Sequence, residues 1–187
     1  MRFDKFTIKA QELIQQAQLL ASQHGNQQIE PEHLLYAMLK APEGIAANVL
    51  MKLGVAPDII LSDTEQRIDQ LPKVSGAGDV YFSTTTRHVL DSAFKEADKM
   101  KDAYVSIEHI FLAILDEKDA AVSKALHTHG VSREAILKVL MDIRGTQRIT
   151  DPNPEEKYQA LDKFSLDLTS SARQGKLDEI DPKVYVL

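Results

Sequence analysis

The chain has 187 residues, 43% of them hydrophobic, with 28 acidic against 22 basic side chains; it can bury one good core or two small ones, and its net charge of -6 steers it away from phosphate backbones and anionic lipid. The absence of cysteine excludes disulfides, thiolate nucleophiles and thiolate metal sites and suits a reducing, cytoplasmic setting. The opening MRFDKFTIKAQ lacks the apolar core of a signal peptide, and no apolar run approaches the roughly 18 residues of a membrane span.

The first helix is marked by Ala10, Leu13, Ala17 and Leu20 at helical spacing, behind Thr7, whose hydroxyl can accept from an unpaired amide at the helix start. The second follows in QIEPEHLLYAML, where Pro31 suits the first helical position and Glu32 meets the positive end of the helix dipole. A third is expected from about Glu43 to Leu53, stopped by Gly54 in the left-handed conformation that ends many helices; a fourth begins at Pro57.

After LPKVSGAGDVY, residues 71–81, too rich in Gly and Pro for helix, the pattern starts again. Sliding the sequence by 76 positions aligns 6–61 with 82–137 without a gap, and twelve of the 56 pairs are identical, among them Phe6/Phe82, Glu32/Glu108, His33/His109, Gly54/Gly130 and Leu61/Leu137. This is a tandem duplication of a four-helix unit, with repeat one at 5–70 and repeat two at 81–144. In the second copy Ser83 stands for Thr7, Ser106 caps the helix of YVSIEHIFLAIL, Glu108 occupies its first turn, the third helix is expected from Asp119 to His129, and Ser132 opens the last. No stretch shows sustained strand alternation, so the expected fold is all-α, with pseudo-twofold symmetry over residues 1–145.

From Thr146 the chain turns polar, and TQRITDPNPEEKYQ, with two prolines, reads as a linker over 146–156. Tyr158, Leu161, Phe164 (or Ser165) and Leu168 then recur at helical spacing up to Gly175; a lone amphipathic helix cannot bury its own apolar face, so 157–187 is expected to begin a further domain.

Catalytic motifs are sparse. Glu and His adjacent on a helix point about 100° apart, so neither Glu32-His33 nor Glu108-His109 makes a metal clamp, and His127 and His129 lie on nearly opposite helix sides. The only Gly-Lys, Gly175-Lys176, lacks the upstream glycine of a phosphate loop, and there is neither a Gly-x-Ser-x-Gly elbow nor an H-E-x-x-H helix. The chain is therefore expected to have no catalytic residue and to hold neither metal nor nucleotide.

The duplication offers a comparison of faces instead. Phe94 and Tyr104 stand where the first copy has Gln18 and Gln28, and Leu19 and Leu20 where the second has Lys95 and Glu96. An apolar residue found in only one copy either buries itself where the copies pack together or lines an exposed groove for a partner chain; both readings stay open.

The doubled EH-LL-A-L pattern resembles the Clp N-terminal domain, and RFDKFTIKAQE, IDQLPKVSG, MDIRGTQRITDPNPEEKYQALDKF and DLTSSARQGKLD together are similar to the bacterial ClpB disaggregase family over about residues 1–178. After Asp178 the chain departs from the family's PVIGR and reads EIDPKVYVL. The resemblance implies a mobile all-α domain that engages unfolded or aggregated polypeptide, followed by the start of a first AAA+ ATPase domain. The parent would be a hexamer that uses ATP and Mg and cooperates with the DnaK chaperone system, while the fragment alone is expected to be monomeric. Carried over residue by residue, the family's substrate-handling patch falls on Thr7, Asp102 and Glu108, with Leu90, Phe94 and Tyr104 as candidates for its apolar floor. A rival within the same resemblance is an adaptor-docking N-domain of a Clp protease regulator of the ClpC or ClpA kind.

Overall fold

The computed structural model describes residues 2–41, 44–74, 79–145 and 147–154. Its helices repeat in the order the duplication predicts: α1 (Ile8–Gln23), α2 (Pro31–Lys40), α3 (Ile45–Lys52) and α4 (Pro57–Gln70), then α5 (Thr84–Met100), α6 (Ile107–Asp116), α7 (Ala121–Thr128) and α8 (Arg133–Arg144). The fold is all-α, as expected.

The start and stop signals act as local chemistry says they should. Thr7 Oγ1 accepts the Ala10 amide at 3.2 Å and Ser83 Oγ accepts the Thr86 amide at 3.0 Å, capping α1 and α5; each cap contributes about 1 kcal/mol. Ser132 caps α8 through the Ala135 amide, and Pro31 and Pro57 sit in the first turns of α2 and α4. Gly54 and Gly130 end α3 and α7 at φ 76° and 78°, where a Cβ would be strained. The helices α3 and α7 begin at Ile45 and Ala121, two residues later than the pattern predicts, because Gly44 and Ala120 take extended backbone at the cap position.

Periodicity did not reveal how the copies are joined. Two short strands, β1 (Gln28–Ile29) and β2 (Tyr81–Phe82), pair in parallel with Ile29 opposite Phe82, and an isolated bridge joins Phe6 to Val105. These pairings are mates under the 76-residue shift: the entry segment of each copy pairs with the segment preceding the second helix of the other. The Thr7 amide donates to the Val105 carbonyl at 2.9 Å, and the Ser83 amide to the Ile29 carbonyl at 3.1 Å. The exchange is reciprocal, so each copy completes its partner.

Packing follows the same logic. Every residue of α6 from Ile107 to Leu115 is buried, and α6 meets α5, α7 and α8 of its own copy and α1, α2 and α3 of the other. Buried residues of both copies form one continuous cluster, so the two copies share one core among the described residues. A buried Leu, Ile or Phe contributes about 1.5–3 kcal/mol, which is how helices of only eight to seventeen residues hold their shape.

Residues 147–154, in the segment read as a linker, lie back on this body. Ile149 is fully buried, the Ala103 amide donates to its carbonyl at 2.8 Å, and the Ile8 amide donates to the Pro152 carbonyl at 2.8 Å. The compact unit runs to Pro154. The helix expected around Tyr158, Leu161, Phe164 and Leu168 lies outside the described residues.

Candidate functional site: an aromatic cleft on the second copy

A cleft of about 360 Å³ opens where the start of the chain meets the second copy. Arg2 and Lys5 form one wall, Phe94, Ala97 and Asp98 of α5 another, and the loop carrying Asp102, Tyr104 and Val105 the third. Phe94 is half-buried, its ring edge-on to that of Phe6 at 5.1 Å between centroids, so it seals the boundary between the copies and still faces the cleft. Tyr104 is half-buried too, and the Lys5 ammonium lies 5.6 Å from its ring centroid. The second-copy aromatic residues thus do both things the sequence left open: they pack across the copy boundary and they line a groove. Leu19, apolar only in the first copy, is 51% exposed on α1 and is not among the cleft's lining residues.

The structure brings Phe94, Asp102 and Tyr104 together on this cleft and distributes the other candidates around it. Thr7 is fully buried; its hydroxyl caps α1 while its amide holds Val105, so it fixes the loop from behind. Leu90, one turn before Phe94 on α5, is 0% exposed and is core beneath the cleft, not its floor. Glu108 is 1% exposed, well inside the body.

Beneath the cleft lies a charged network. Arg144 Nη2 donates to both oxygens of Asp102, at 3.0 and 2.7 Å, and to the Gln147 carbonyl at 3.2 Å. The Ile149 amide donates to Asp102 Oδ1 at 2.7 Å, and His109 Nε2 to Oδ2 at 3.0 Å. Arg144 Nη1 stands 3.4 Å from Glu108 Oε1 as an ion pair. Burial alone would raise the Asp102 carboxyl; the hydrogen bonds from His109, the Ile149 amide and Arg144, together with the Arg144 charge, outweigh it and hold the carboxyl below the usual carboxylate range.

At the positions of Asp102 and Arg144 the first copy is neutral. Asn26 is the mate of Asp102 and Ile68 the mate of Arg144; Asn26 Oδ1 lies 3.1 Å from His33 Nε2 and its Nδ2 donates to the Pro72 carbonyl at 3.1 Å. Arg144 is the residue that sequence reasoning missed. Its signal was present in the repeat: comparing the copies for charge as well as for apolarity finds Asn26 changed to Asp102 and Ile68 changed to Arg144 together.

The four candidate histidines do not converge: His33, His109 and His127 each bond within a different part of the fold. His33 Nδ1 accepts the Glu30 amide and His109 Nδ1 the Ser106 amide, each at 2.9 Å. In both copies the imidazole reaches back from the third helical position to the cap, a part usually taken by Glu or Gln. His127 and His129 are exposed at the end of α7, and His127 Nε2 lies 3.1 Å from the Leu115 carbonyl. Among the described residues no helix is long and apolar enough to cross a membrane.

The family model of the Clp repeat (R) N-terminal domain matches residues 5–129. The chaperone protein ClpB of Nitratidesulfovibrio vulgaris is 37% identical over 185 residues, covering 96% of this chain and 21% of that protein. The chain thus spans about a fifth of the length of the curated relatives it matches. Among solved structures, the Hsp104 N-terminal domain from Candida albicans superposes with a TM-score of 0.70 at 26% identity, covering 79% of this chain and 97% of that one. A ClpV N-domain in complex with a VipB peptide superposes with a TM-score of 0.61 at 22% identity, covering 74% and 86%.

Proposed function

The chain belongs to the Clp repeat N-terminal domain family and is a ClpB-like chaperone N-domain, and from that membership and the cleft we propose that it captures unfolded or aggregated polypeptide weakly and reversibly. The observation that carries this reading is the aromatic pair Phe94 and Tyr104: the duplication placed these side chains on one copy only, and both face an open cleft. In ClpV the same fold is seen with a peptide, which supports peptide capture as something this architecture can do.

Size limits strength. A cleft of about 360 Å³ is near the small end of ligand sites, roughly 300–1,000 Å³, and takes one or two side chains. A few hundred Å² of apolar contact at about 25 cal/mol per Å² gives several kcal/mol, much of it offset by an association cost of about 4–15 kcal/mol. Transient capture suits an entry module that passes a client onward. In the longer protein the receiver is an AAA+ ring using ATP and Mg and working with the DnaK system; the domain itself contributes binding and no catalysis.

Titrating unfolded labelled casein into the chain while following amide shifts tests the assignment. Shifts should concentrate at Phe94, Tyr104 and Thr7, with a dissociation constant of roughly micromolar or weaker. Casein binding without shifts there would reject the cleft, and recovery from cytosol of one stoichiometric folded partner in place of unfolded chains would favour an adaptor-docking module.

A further inference from the structure

We propose that residues 147–154 are a latch that sets the shape of the cleft, with Ile149 and Arg144 as positioning residues that act on a bound polypeptide through Asp102; the proposal rests on the reading of the cleft given above. The segment is tied to both of the backbone elements that frame the site. Ile149 clasps the loop twice, its amide donating to Asp102 Oδ1 at 2.7 Å and its carbonyl accepting from the Ala103 amide at 2.8 Å, with its side chain fully buried. Three residues on, the Pro152 carbonyl accepts from the Ile8 amide at 2.8 Å, next to Thr7, whose own amide holds Val105. Arg144 joins the two strokes of the clasp by donating to Asp102 on one side and to the Gln147 carbonyl on the other.

Asp102 therefore has two faces, one lining the cleft and one holding the latch. Tyr104 stands two residues along the same loop, so the conformation that presents its ring is the one the latch fixes. The first copy supplies an internal control. There the exit segment is also tied back, by Asn26 to the Pro72 carbonyl and by the Val74 amide to the Gly25 carbonyl at 2.9 Å, but with neutral groups only. Charge-assisted bonds, roughly twice as strong as neutral ones, occur on the copy that carries the cleft.

A docked latch holds the loop in its binding shape before a client arrives, and release lets it loosen, so docking and client binding favour each other. Linkage makes the effect reciprocal: whatever factor the latch adds to client affinity, the client adds to latch docking.

The test uses the whole 187-residue chain and unfolded casein. Ile149 does not line the cleft, yet Ile149→Ala should weaken casein binding by about fivefold or more, and Ile149→Val should restore most of the loss. In the unaltered protein, which needs no variant to fold, saturating casein should slow hydrogen exchange at the Ile149 and Ala103 amides by a similar factor. Equal casein affinity in Ile149→Ala, or exchange at those two amides indifferent to casein, overturns the latch and leaves the cleft standing. An unaltered protein that binds no casein overturns the cleft and the latch with it.

Discussion

Replacing Arg144 by isoleucine, the residue its repeat mate Ile68 already is, should destabilise the body by about 3–5 kcal/mol, the usual cost of breaking a buried ion pair by removing one partner. For a body of this size that is a fall of roughly 10 °C in the melting midpoint. Arg144 neutralises Asp102 and Glu108 together, and neither carboxylate has water to turn to once the guanidinium is gone. The double variant Asp102→Asn/Arg144→Ile installs the first copy's solution, in which a neutral amide serves both the histidine and the neighbouring backbone. It should recover part of the lost stability, because one of the two carboxylates that Arg144 pairs is made neutral, while Glu108 stays buried as its repeat mate Glu32 does in the first copy. Thermal or urea unfolding of these two variants and of Asp102→Asn alone measures the coupling directly. A single substitution costing less than about 1 kcal/mol, or a double variant no better than the single, would show that the charges are not acting as a pair.

Acid should destabilise the body through His33. Burial pushes this imidazole down to about 4 from its ordinary 6.5. With Nδ1 accepting from Glu30 and Nε2 facing Asn26 Oδ1, the neutral ring is fully satisfied and a proton on Nδ1 would break the cap. Above about pH 6.5 the ring is neutral in folded and unfolded chains and its contribution is fully present. Between about pH 6.5 and 4 the unfolded chain takes up the proton and the folded one does not, so stability falls by about 3 kcal/mol across that window. Glu32 works the other way: burial raises its carboxyl, so the folded chain binds that proton first on acidification. Comparing unfolding of the unaltered chain with His33→Gln isolates the histidine, since Glu32 is common to both. The variant should show a flatter profile from pH 6.5 to 4, and parallel profiles would mean that His33 does not titrate in this way.

Much of the architecture was written locally. Thr7, Ser83, Pro57 and Ser132 start helices because of chemistry within one turn, and Gly54 and Gly130 end them because of a single backbone angle, so each could be read without knowing the fold. The exchange of Phe6 with Val105 and of Ile29 with Phe82 could not, because two-residue strands carry no alternation. Leu90 and Phe94 share one apolar stripe in the sequence; only the arrival of Phe6 from the other copy decides that Leu90 is enclosed and Phe94 left half open. Asp102 and Glu108 looked like surface groups or dipole partners until Arg144, 42 residues beyond Asp102, drew both into the interior.

The second copy's private aromatic residues are the surface that polypeptide should meet. Phe94→Gln/Tyr104→Gln gives the cleft the residues that the first copy carries at Gln18 and Gln28. Titrated with unfolded casein under conditions where its amide spectrum shows the body intact, this variant should bind at least about tenfold more weakly than the unaltered chain, as expected when a central aromatic anchor is lost. Undiminished affinity would show that polypeptide does not bind through Phe94 and Tyr104.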